Sequence, residues 1–294
     1  MPEYILSLSY GKDSIACLGA IEKLGWPLDR IVHAEVWATE TIPADLPPMV
    51  EFKKKADKII KERWGIEVEH FVSRKCEKCE ADKVTYDMCF HAKMIKGKHT
   101  GSIKGWPMQK GNWCLKLKLT ALQQMELKPD SVQYLGIAAD EPNRFHNLTE
   151  TKKSPLVEAG WDESYCRQWC EENGLLSPIY TTATRGGCWF CHNQGVSQLR
   201  ILRKTYPDLW ALMLKWDKDS PVTFKTGRPI IGQQTIINAD GEEETIFEKV
   251  GEIPGPTVHD FDRRFQLEDD GLLYPDDKNF RWSMLEEELN YRLF

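Results

Sequence analysis

Apolar residues along the first third of the chain follow two different periods in turn. A short, mostly apolar run at residues 4–8 predicts a strand. The positions after it repeat every three residues and predict a helix with one apolar face, formed by Ile15, Leu18, Ile21 and Leu24. Gly25 and Pro27 end the helical pattern. The polar residues 9–14 are therefore predicted to form a tight loop between a strand and a helix.

The same alternation continues down the chain. Further strands are predicted at residues 31–37, 66–72 and 132–138, and a long helix is predicted at residues 49–64. Strands that alternate with helices indicate a parallel sheet of about five strands with helices on both faces, which is an α/β fold. Residues 73–112 interrupt the pattern and are predicted to be an irregular basic insertion that contains cysteines.

The second half of the chain changes character. The pattern there predicts two helices, a β-hairpin with an Asp-Gly turn and a final helix, at residues 162–173, 196–216, 234–250 and 284–293. Pro207 is expected to break the second of these helices. We therefore predict a large domain at residues 1–220 and an α+β C-terminal extension at residues 221–294.

Composition and charge narrow the classes of protein. The 294 residues include 39 Lys and Arg against 45 Asp and Glu, and the net charge of -6 argues against coating nucleic acid through bulk charge. No stretch approaches the roughly 20 apolar residues of a membrane span. The N-terminus also lacks the features of a secretion signal. We therefore expect a cytoplasmic protein that does not bind a membrane.

One window of the sequence departs from this acidic balance. Residues 88–125 contain no Asp or Glu, yet they contain seven lysines: Lys93, Lys96, Lys98, Lys104, Lys110, Lys116 and Lys118. Such a window is suited to bind a polyanion or a nucleotide. Nucleic acid is therefore a candidate substrate. A solvated, flexible loop explains the same composition, and the two interpretations are compatible.

The loop at residues 9–14 carries the first candidate chemistry and consists of Ser9, Tyr10, Gly11, Lys12, Asp13 and Ser14. Open α/β sheets bind ligands where a strand ends and a helix begins, and the unpaired N–H groups there suit a phosphate. Gly11 allows a close approach, the serines add hydroxyl donors and Lys12 adds a positive charge. Asp13 would repel a bare phosphate, which indicates a bound Mg²⁺ or a structural role. The spacing is not that of a Walker A loop.

This loop resembles the PP-loop of the ATP pyrophosphatase superfamily, whose members cleave ATP between the α and β phosphates. Three later segments resemble, in matching order, the phosphoadenosine-phosphosulfate (PAPS) reductase family: residues 136–144, 154–180 and 185–191. The resemblance spans residues 4–195 and implies an adenine nucleotide α-hydrolase-like domain that binds ATP and Mg²⁺. It makes Lys12 and Asp13 the predicted catalytic residues.

The first of those segments supplies further candidate nucleotide-binding residues: Gly136, Asp140, Glu141 and Arg144. Arg144 suits bidentate binding of a phosphate or sulfate. Asp140 or Glu141 suits orientation of Mg²⁺ or of a ribose. Capping at the end of a strand explains the two carboxylates equally well.

The nine cysteines are unequally informative. Cys188 and Cys191 have the spacing of metal ligands. Cys114 lies in a segment resembling one where iron–sulfur members of the family carry two adjacent cysteines, which hold a 4Fe–4S cluster with the later pair. Here the second of the two is Leu115. Three visible ligands are compatible with a cluster that has an open iron, with a zinc site completed by His192, or with thiols that bind no metal.

The other cysteines fall into two groups. A second candidate zinc site lies in the polar insertion and comprises Cys76, Cys79, Cys89 and His91. A redox pair formed by Cys76 and Cys79 is the alternative to zinc. The remaining three lie on predicted helix faces and are expected to be core residues: Cys17, Cys166 and Cys170.

Two departures separate the chain from the reductases of the family that it resembles. Those reductases carry a nucleophilic cysteine in a C-terminal tail, whereas no cysteine follows Cys191 here. The loop also keeps the Gly-Lys-Asp-Ser pattern that the reductases have lost. The predicted function is therefore adenylation of a substrate by ATP, followed by transfer of sulfur held at Cys114, Cys188 and Cys191. A sulfur-donor protein is a candidate partner.

Two other functions remain open at this point. One is a PAPS or adenosine-phosphosulfate reductase-like enzyme that receives its thiol from elsewhere. The other is a non-catalytic nucleotide-binding protein with structural zinc. Release of pyrophosphate from ATP distinguishes the predicted function from both.

Overall fold

A computed structural model describes residues 2–74, 82–96, 100–107, 113–181, 186–237, 243–275, 277 and 279–285. The chain divides into two compact units, Met1–Cys89 with Trp113–Trp189, and Phe90–Asn112 with Phe190–Phe294. The predicted insertion is shared between the two units. The predicted domain boundary between residues 220 and 221 falls inside the second unit and stays a prediction.

The first unit is built on a five-stranded sheet in which every pairing is parallel. The strands are β1 (Tyr4–Ser7), β2 (Arg30–Glu35), β3 (Val68–Val72), β4 (Val132–Tyr134) and β5 (Lys152–Lys153). They lie in the order β3-β2-β1-β4-β5. The predicted α/β fold is confirmed. The fourth strand is shorter than predicted because the N–H of Ile137 turns back to the carbonyl of Leu135 (3.0 Å) instead of bonding a neighbouring strand.

Among the described residues, six α-helices belong wholly or mostly to the first unit: α1 (Lys12–Leu24), α2 (Pro47–Trp64), α3 (Tyr86–Phe90), α4 (Trp113–Leu122), α5 (Pro155–Ala159) and α6 (Glu163–Glu172). Short 3₁₀ helices lie at Pro142–Asn147 and Pro178–Thr181. The first two α-helices end where the pattern predicted. Gly25 and Gly65 adopt the left-handed conformation there, with φ values of 64° and 70°.

Helices cover both faces of this sheet, as predicted. Leu6 and Ile31 belong to one face and pack with the apolar sides of α1 and α2. Ile5 and Val32 alternate with them, so they point to the other face, where Leu122 of α4 packs against them. The three cysteines predicted to be core residues, Cys17, Cys166 and Cys170, are buried in the first of these clusters.

The second unit contains α7 (Val196–Thr205), α8 (Pro207–Asp219), α9 (Val258–Asp269) and the antiparallel pair β6 (Arg228–Ile237) and β7 (Glu243–Ile253). Pro207 begins a new helix, which confirms the predicted break. Buried aromatic side chains form much of the core: Phe90, Trp106, Trp216, Phe224 and Phe261. The predicted hairpin turn and the predicted last helix beyond residue 285 lie outside the described residues. In the described part of the chain, no helix has the length and apolar character needed to cross a membrane.

Candidate functional site

The predicted phosphate loop lies at the carboxyl end of β1, directly before α1. The strand order reverses at this position, because the chain continues from β1 to β2 on one side and later returns to pair β4 on the other. Open α/β sheets bind their ligands in the crevice at such a switch point. The position predicted from the sequence therefore coincides with the binding edge of this sheet.

The two serines of the loop bond to each other and close it. Ser14 Oγ accepts from the backbone N–H of Ser9 (3.1 Å), lies 2.9 Å from Ser9 Oγ and donates to the carbonyl of Gly11 (3.0 Å). The sequence suggested these hydroxyls as phosphate donors. In the structure they stabilise the shape of the loop, and a role toward phosphate stays a prediction.

The first turn of α1 begins at a glycine, which has no side chain to cap its N–H groups. Gly11 is the N-cap residue, and the first bond within the helix runs from Ile15 N–H to Gly11 O (3.0 Å). The N–H of Lys12 donates to the hydroxyl of Tyr180 (3.0 Å). Among the described residues, none accepts from the N–H of Asp13 or of Ser14. Two amides with partial positive charge therefore remain open to an anion.

The ammonium of Lys12 lies between two carboxylates. It is 2.8 Å from Asp13 Oδ1 and 2.9 Å from Glu163 Oε2, the latter on the first turn of α6. Burial lowers the pKa of Lys12, but the hydrogen bonds to both carboxylates outweigh it and raise the pKa to about 12. Burial raises the pKa of Asp13, opposed by the bond to Lys12. Lys12 therefore stays positively charged. Its ammonium must break at least one of the two ion pairs in order to contact a phosphate.

The segment after β4 is packed tightly against the loop. A Cβ added to Gly136 would lie only 2.7 Å from the backbone nitrogen of Ser14. Asp140 accepts a hydrogen bond from the N–H of Glu163, the first residue of α6 (3.1 Å), and its predicted role toward Mg²⁺ or a ribose stays a prediction. Gly136 and Asp140 therefore connect this segment to the helices that carry the lysine and its partners.

Glu141 and Arg144 form an ion pair with each other. Arg144 Nη1 lies 2.7 Å from Glu141 Oε2, and the second interaction of that oxygen is with the N–H of Ala138 (3.2 Å). Burial raises the pKa of Glu141, but the bonds from Arg144 and Ala138 outweigh it, so the pKa is lowered. Binding of a phosphate by Arg144 stays a prediction. It requires the guanidinium to leave Glu141 or to contact Glu141 and the phosphate at the same time.

Two cavities lie on either side of the loop, and Ser7 and Ser9 line both. One has a volume of about 460 Å³ and extends toward β4 and β5, where Arg144 and Lys152 give it positive charge. The other has a volume of about 350 Å³ and extends toward β2, and Cys188 contributes to its wall. The loop therefore separates a cationic crevice from a largely apolar cavity that contains a thiol.

The floor of the second cavity holds a buried polar cluster that sequence reasoning missed. Lys53 donates to Asp45 (2.5 Å) and to Nε2 of His33 (2.8 Å), while Nδ1 of His33 donates to the carbonyl of Leu8 (2.7 Å). Burial, and then the neighbouring charge of Lys53, lower the pKa of His33 to about 3, so the imidazole is neutral. One signal was available, because Lys53 lies on the apolar face of α2 that includes Ala56.

Tyr10 has an unusual conformation within the loop. Its φ is 58°, a left-handed value that costs a residue other than glycine about 1 kcal/mol or more. The ring is fully buried, and the hydroxyl bonds to Asp57 on α2 and lies 3.2 Å from His70 on β3. His70 in turn bonds Asp57 (3.0 Å) and Glu35 (2.7 Å). Through Tyr10 and His70 the loop is therefore connected to one helix, α2, and to two strands, β2 and β3.

The structure locates most of the predicted metal ligands. Cys114 is at the start of α4, Cys188 lines the cavity described above, and Cys191 belongs to the second unit, as does His192. Of the second candidate site, Cys89 is described at the end of α3, whereas Cys76 and Cys79 lie outside the described residues. Over the described ranges, no three His, Cys, Asp or Glu side chains form a group that could hold a metal ion.

Comparisons with known proteins add little to this geometry. No protein-family model and no curated protein matches the chain. Among solved structures, the chain is similar to the U34-tRNA thiolase NcsA from Methanococcus maripaludis with its 4Fe–4S cluster, at 11% sequence identity and a TM-score of 0.35. That similarity covers 74% of this chain and 71% of the other. At that TM-score it assigns neither a family nor a function to the chain.

Proposed function

We propose that this protein binds ATP at the loop formed by residues 9–14, adenylates a substrate and then transfers sulfur to it. The observation that carries the proposal is the shared edge of the two cavities. The open amides of Asp13 and Ser14 suit the phosphates, the apolar cavity toward β2 suits the nucleoside, and Cys188 places a thiol in that same cavity. A site that joins phosphate binding to a thiol is suited to activation followed by sulfur transfer.

Adenylation needs stabilisation of the pyrophosphate that leaves. An oxygen of the substrate attacks the α-phosphorus, and the bond from the α-phosphorus to the bridging oxygen breaks, so that pyrophosphate takes the electron pair. Lys12 and the amides of α1 stabilise that negative charge. Mg²⁺ enters as the counter-ion of ATP. Because Lys12 starts in contact with Asp13 and Glu163, it exchanges carboxylate for phosphate as ATP binds.

The second step replaces the activated oxygen with sulfur. A hydrosulfide-level sulfur attacks the carbon that carries the adenylate, a C–S bond forms, the C–O bond breaks and AMP leaves with the electron pair. Cys188 lines the nucleotide cavity, so its thiol is suited to hold that hydrosulfide beside the adenylate by hydrogen bonding, with no bond to sulfur and no change of oxidation state. Lys118 lines the same cavity and is exposed on α4, as is Lys116. Both lysines belong to the basic window, which supports a polyanionic acceptor such as a nucleic acid.

The predicted 4Fe–4S cluster stays a prediction. It needs at least three thiolates around one cluster, and the described residues contain no group of three potential ligands. The steps above therefore do not pass through a cluster. Anaerobic purification with iron, zinc and acid-labile sulfide analysis tests for it directly: iron and sulfide in a 1:1 ratio support the cluster, and metal-free protein with activity excludes it.

The proposed function is tested by identifying the products of ATP turnover in the presence of bulk RNA or DNA and sodium sulfide. We expect AMP and pyrophosphate, together with sulfur in the nucleic acid. The variant Lys12→Ala should abolish both products, whereas Lys23→Ala, at the other end of the same helix, should not. The variant Cys188→Ala should retain pyrophosphate release and lower sulfur incorporation. Formation of ADP and phosphate instead would contradict the proposal.

A further inference from the structure

Tyr10 occupies a position in the loop that its backbone conformation disfavours. A left-handed φ of 58° is the conformation that glycine adopts without steric conflict, yet the residue here has a large aromatic side chain. The residue beside it, Gly11, has an ordinary φ of -73°. A non-glycine residue keeps such a conformation only where the surrounding structure holds it. The contacts of the side chain must therefore determine the shape of the loop.

Those contacts are polar and directional at the hydroxyl end. The phenol donates to Asp57 on α2 and lies 3.2 Å from Nε2 of His70 on β3. His70 bonds the second oxygen of Asp57 (3.0 Å), and its other nitrogen bonds Glu35 at the end of β2 (2.7 Å). Every polar atom of the phenol and the imidazole thus has a partner. This closed network specifies one position for the hydroxyl.

The ring of Tyr10 is held as firmly as its hydroxyl. It meets the imidazole of His33 edge to face, with 4.8 Å between centroids, and the ammonium of Lys53 lies 5.2 Å from its centroid. No part of the side chain is exposed to solvent. A side chain with no freedom at either end transmits its position to the backbone of residues 9–11, which precede the open amides of α1.

We propose that Tyr10 is a positioning residue that holds the loop in its phosphate-binding shape before any nucleotide arrives, through its hydroxyl bond to Asp57. The expected effect on ATP affinity rests on the proposed function, whereas the expected effect on the conformation of the loop without nucleotide does not. Because preorganisation removes an ordering cost from binding, loss of the bond should weaken binding of ATP, although the hydroxyl itself is directed to Asp57 and His70.

The test uses Tyr10→Phe, which removes one oxygen and keeps the ring. Asp57→Asn weakens the same bond from the other side. The matched control is Tyr4→Phe, because the hydroxyl of Tyr4 bonds no described residue. Two quantities are measured on the full chain: amide hydrogen exchange of residues 9–14 without nucleotide, and the Kd for ATP with Mg²⁺ by calorimetry.

We expect Tyr10→Phe to accelerate exchange in residues 9–14 more than in the sheet, and to raise the Kd about tenfold. Asp57→Asn should also accelerate exchange in the loop and raise the Kd, with an added effect from its altered bond to His70. The double variant should bind ATP about as well as Asp57→Asn alone, because the bond between Tyr10 and Asp57 is already weakened in that single variant. A residue with only a general structural role would change exchange throughout the unit and show additive effects.

Unchanged loop exchange in Tyr10→Phe, or a Kd within about twofold of wild type, overturns the inference. If wild-type protein does not bind ATP, the proposed function fails, and the exchange measurement alone decides whether Tyr10 holds the loop. The Tyr4→Phe control should match wild type in both measurements.

Discussion

The close approach of Gly136 to the loop makes a precise prediction about a single methyl group. In the variant Gly136→Ala the new Cβ would lie 2.7 Å from Ser14 N, 2.8 Å from Ser14 Cα and 3.0 Å from Asp13 C. Ordinary contacts between such atoms begin near 3.5 Å. All three neighbours are backbone atoms of the first turn of α1, so no side chain can rotate away to make room.

The magnitude follows from that geometry. The segment after β4 and the start of α1 must separate by about 0.5–1 Å to restore normal contact distances. Overpacking of this kind costs about 1–3 kcal/mol of folding free energy, or roughly 2–10 °C in Tm for a chain of this size. The displaced amides belong to Asp13 and Ser14, and a misplacement of about 1 Å at a reacting centre lowers the rate roughly a hundredfold. Activity should therefore fall much more than stability.

Thermal unfolding and pyrophosphate release, measured side by side, check this prediction. Gly195→Ala is the control, because the nearest atom to its added Cβ is 3.8 Å away and its φ is -71°. That variant should show a small change in Tm and full pyrophosphate release. Normal activity and an unchanged Tm in Gly136→Ala would refute the reasoning from close packing.

Two further predictions concern charges near the loop. Glu163→Gln removes one of the two carboxylates that hold Lys12, and because Glu163 is half exposed we expect a modest gain in ATP affinity, up to about fivefold by calorimetry; weaker binding would show that Glu163 contributes to the nucleotide site. Hydrogen bonds to Asp57 and then Glu35 raise the pKa of His70 to about 9. The stability that His70 contributes should therefore be complete below about pH 6.5 and lost as the pH rises through about 9. Urea unfolding of wild type and His70→Gln should differ at pH 6 and converge near pH 10, and a difference that is independent of pH would contradict this assignment.

Local patterns were sufficient to predict most of the framework. Alternating strand and helix periods predicted the parallel sheet, and Gly25 and Gly65 predicted the ends of two helices because only local backbone geometry is involved. The strand β5 was not predicted, since it consists of Lys152 and Lys153, two exposed lysines without an apolar pattern. It exists because β4 offers a free edge to pair with.

The site itself was predicted only as far as consecutive residues define it. The loop was located correctly at the end of a strand, but the partners that set its charge and shape are distant in sequence. Glu163 is 151 residues from Lys12, and Asp57 is 47 residues from Tyr10. From the sequence, Gly11 was expected to allow a close approach to phosphate, and nothing marked Tyr10 as the residue with left-handed backbone. Its conformation depends on buried tertiary contacts that no local pattern reveals.

The most direct test of the central claim is a crystal structure of the protein with Mg²⁺ and α,β-methylene ATP, which cannot be cleaved between the α and β phosphates. We predict phosphate oxygens within hydrogen-bond distance of the N–H groups of Asp13 and Ser14, the base in the cavity lined by Cys188, and Lys12 moved from Glu163 toward the phosphates. A nucleotide bound elsewhere, or no binding at millimolar concentration, would contradict the claim that this loop is an ATP site.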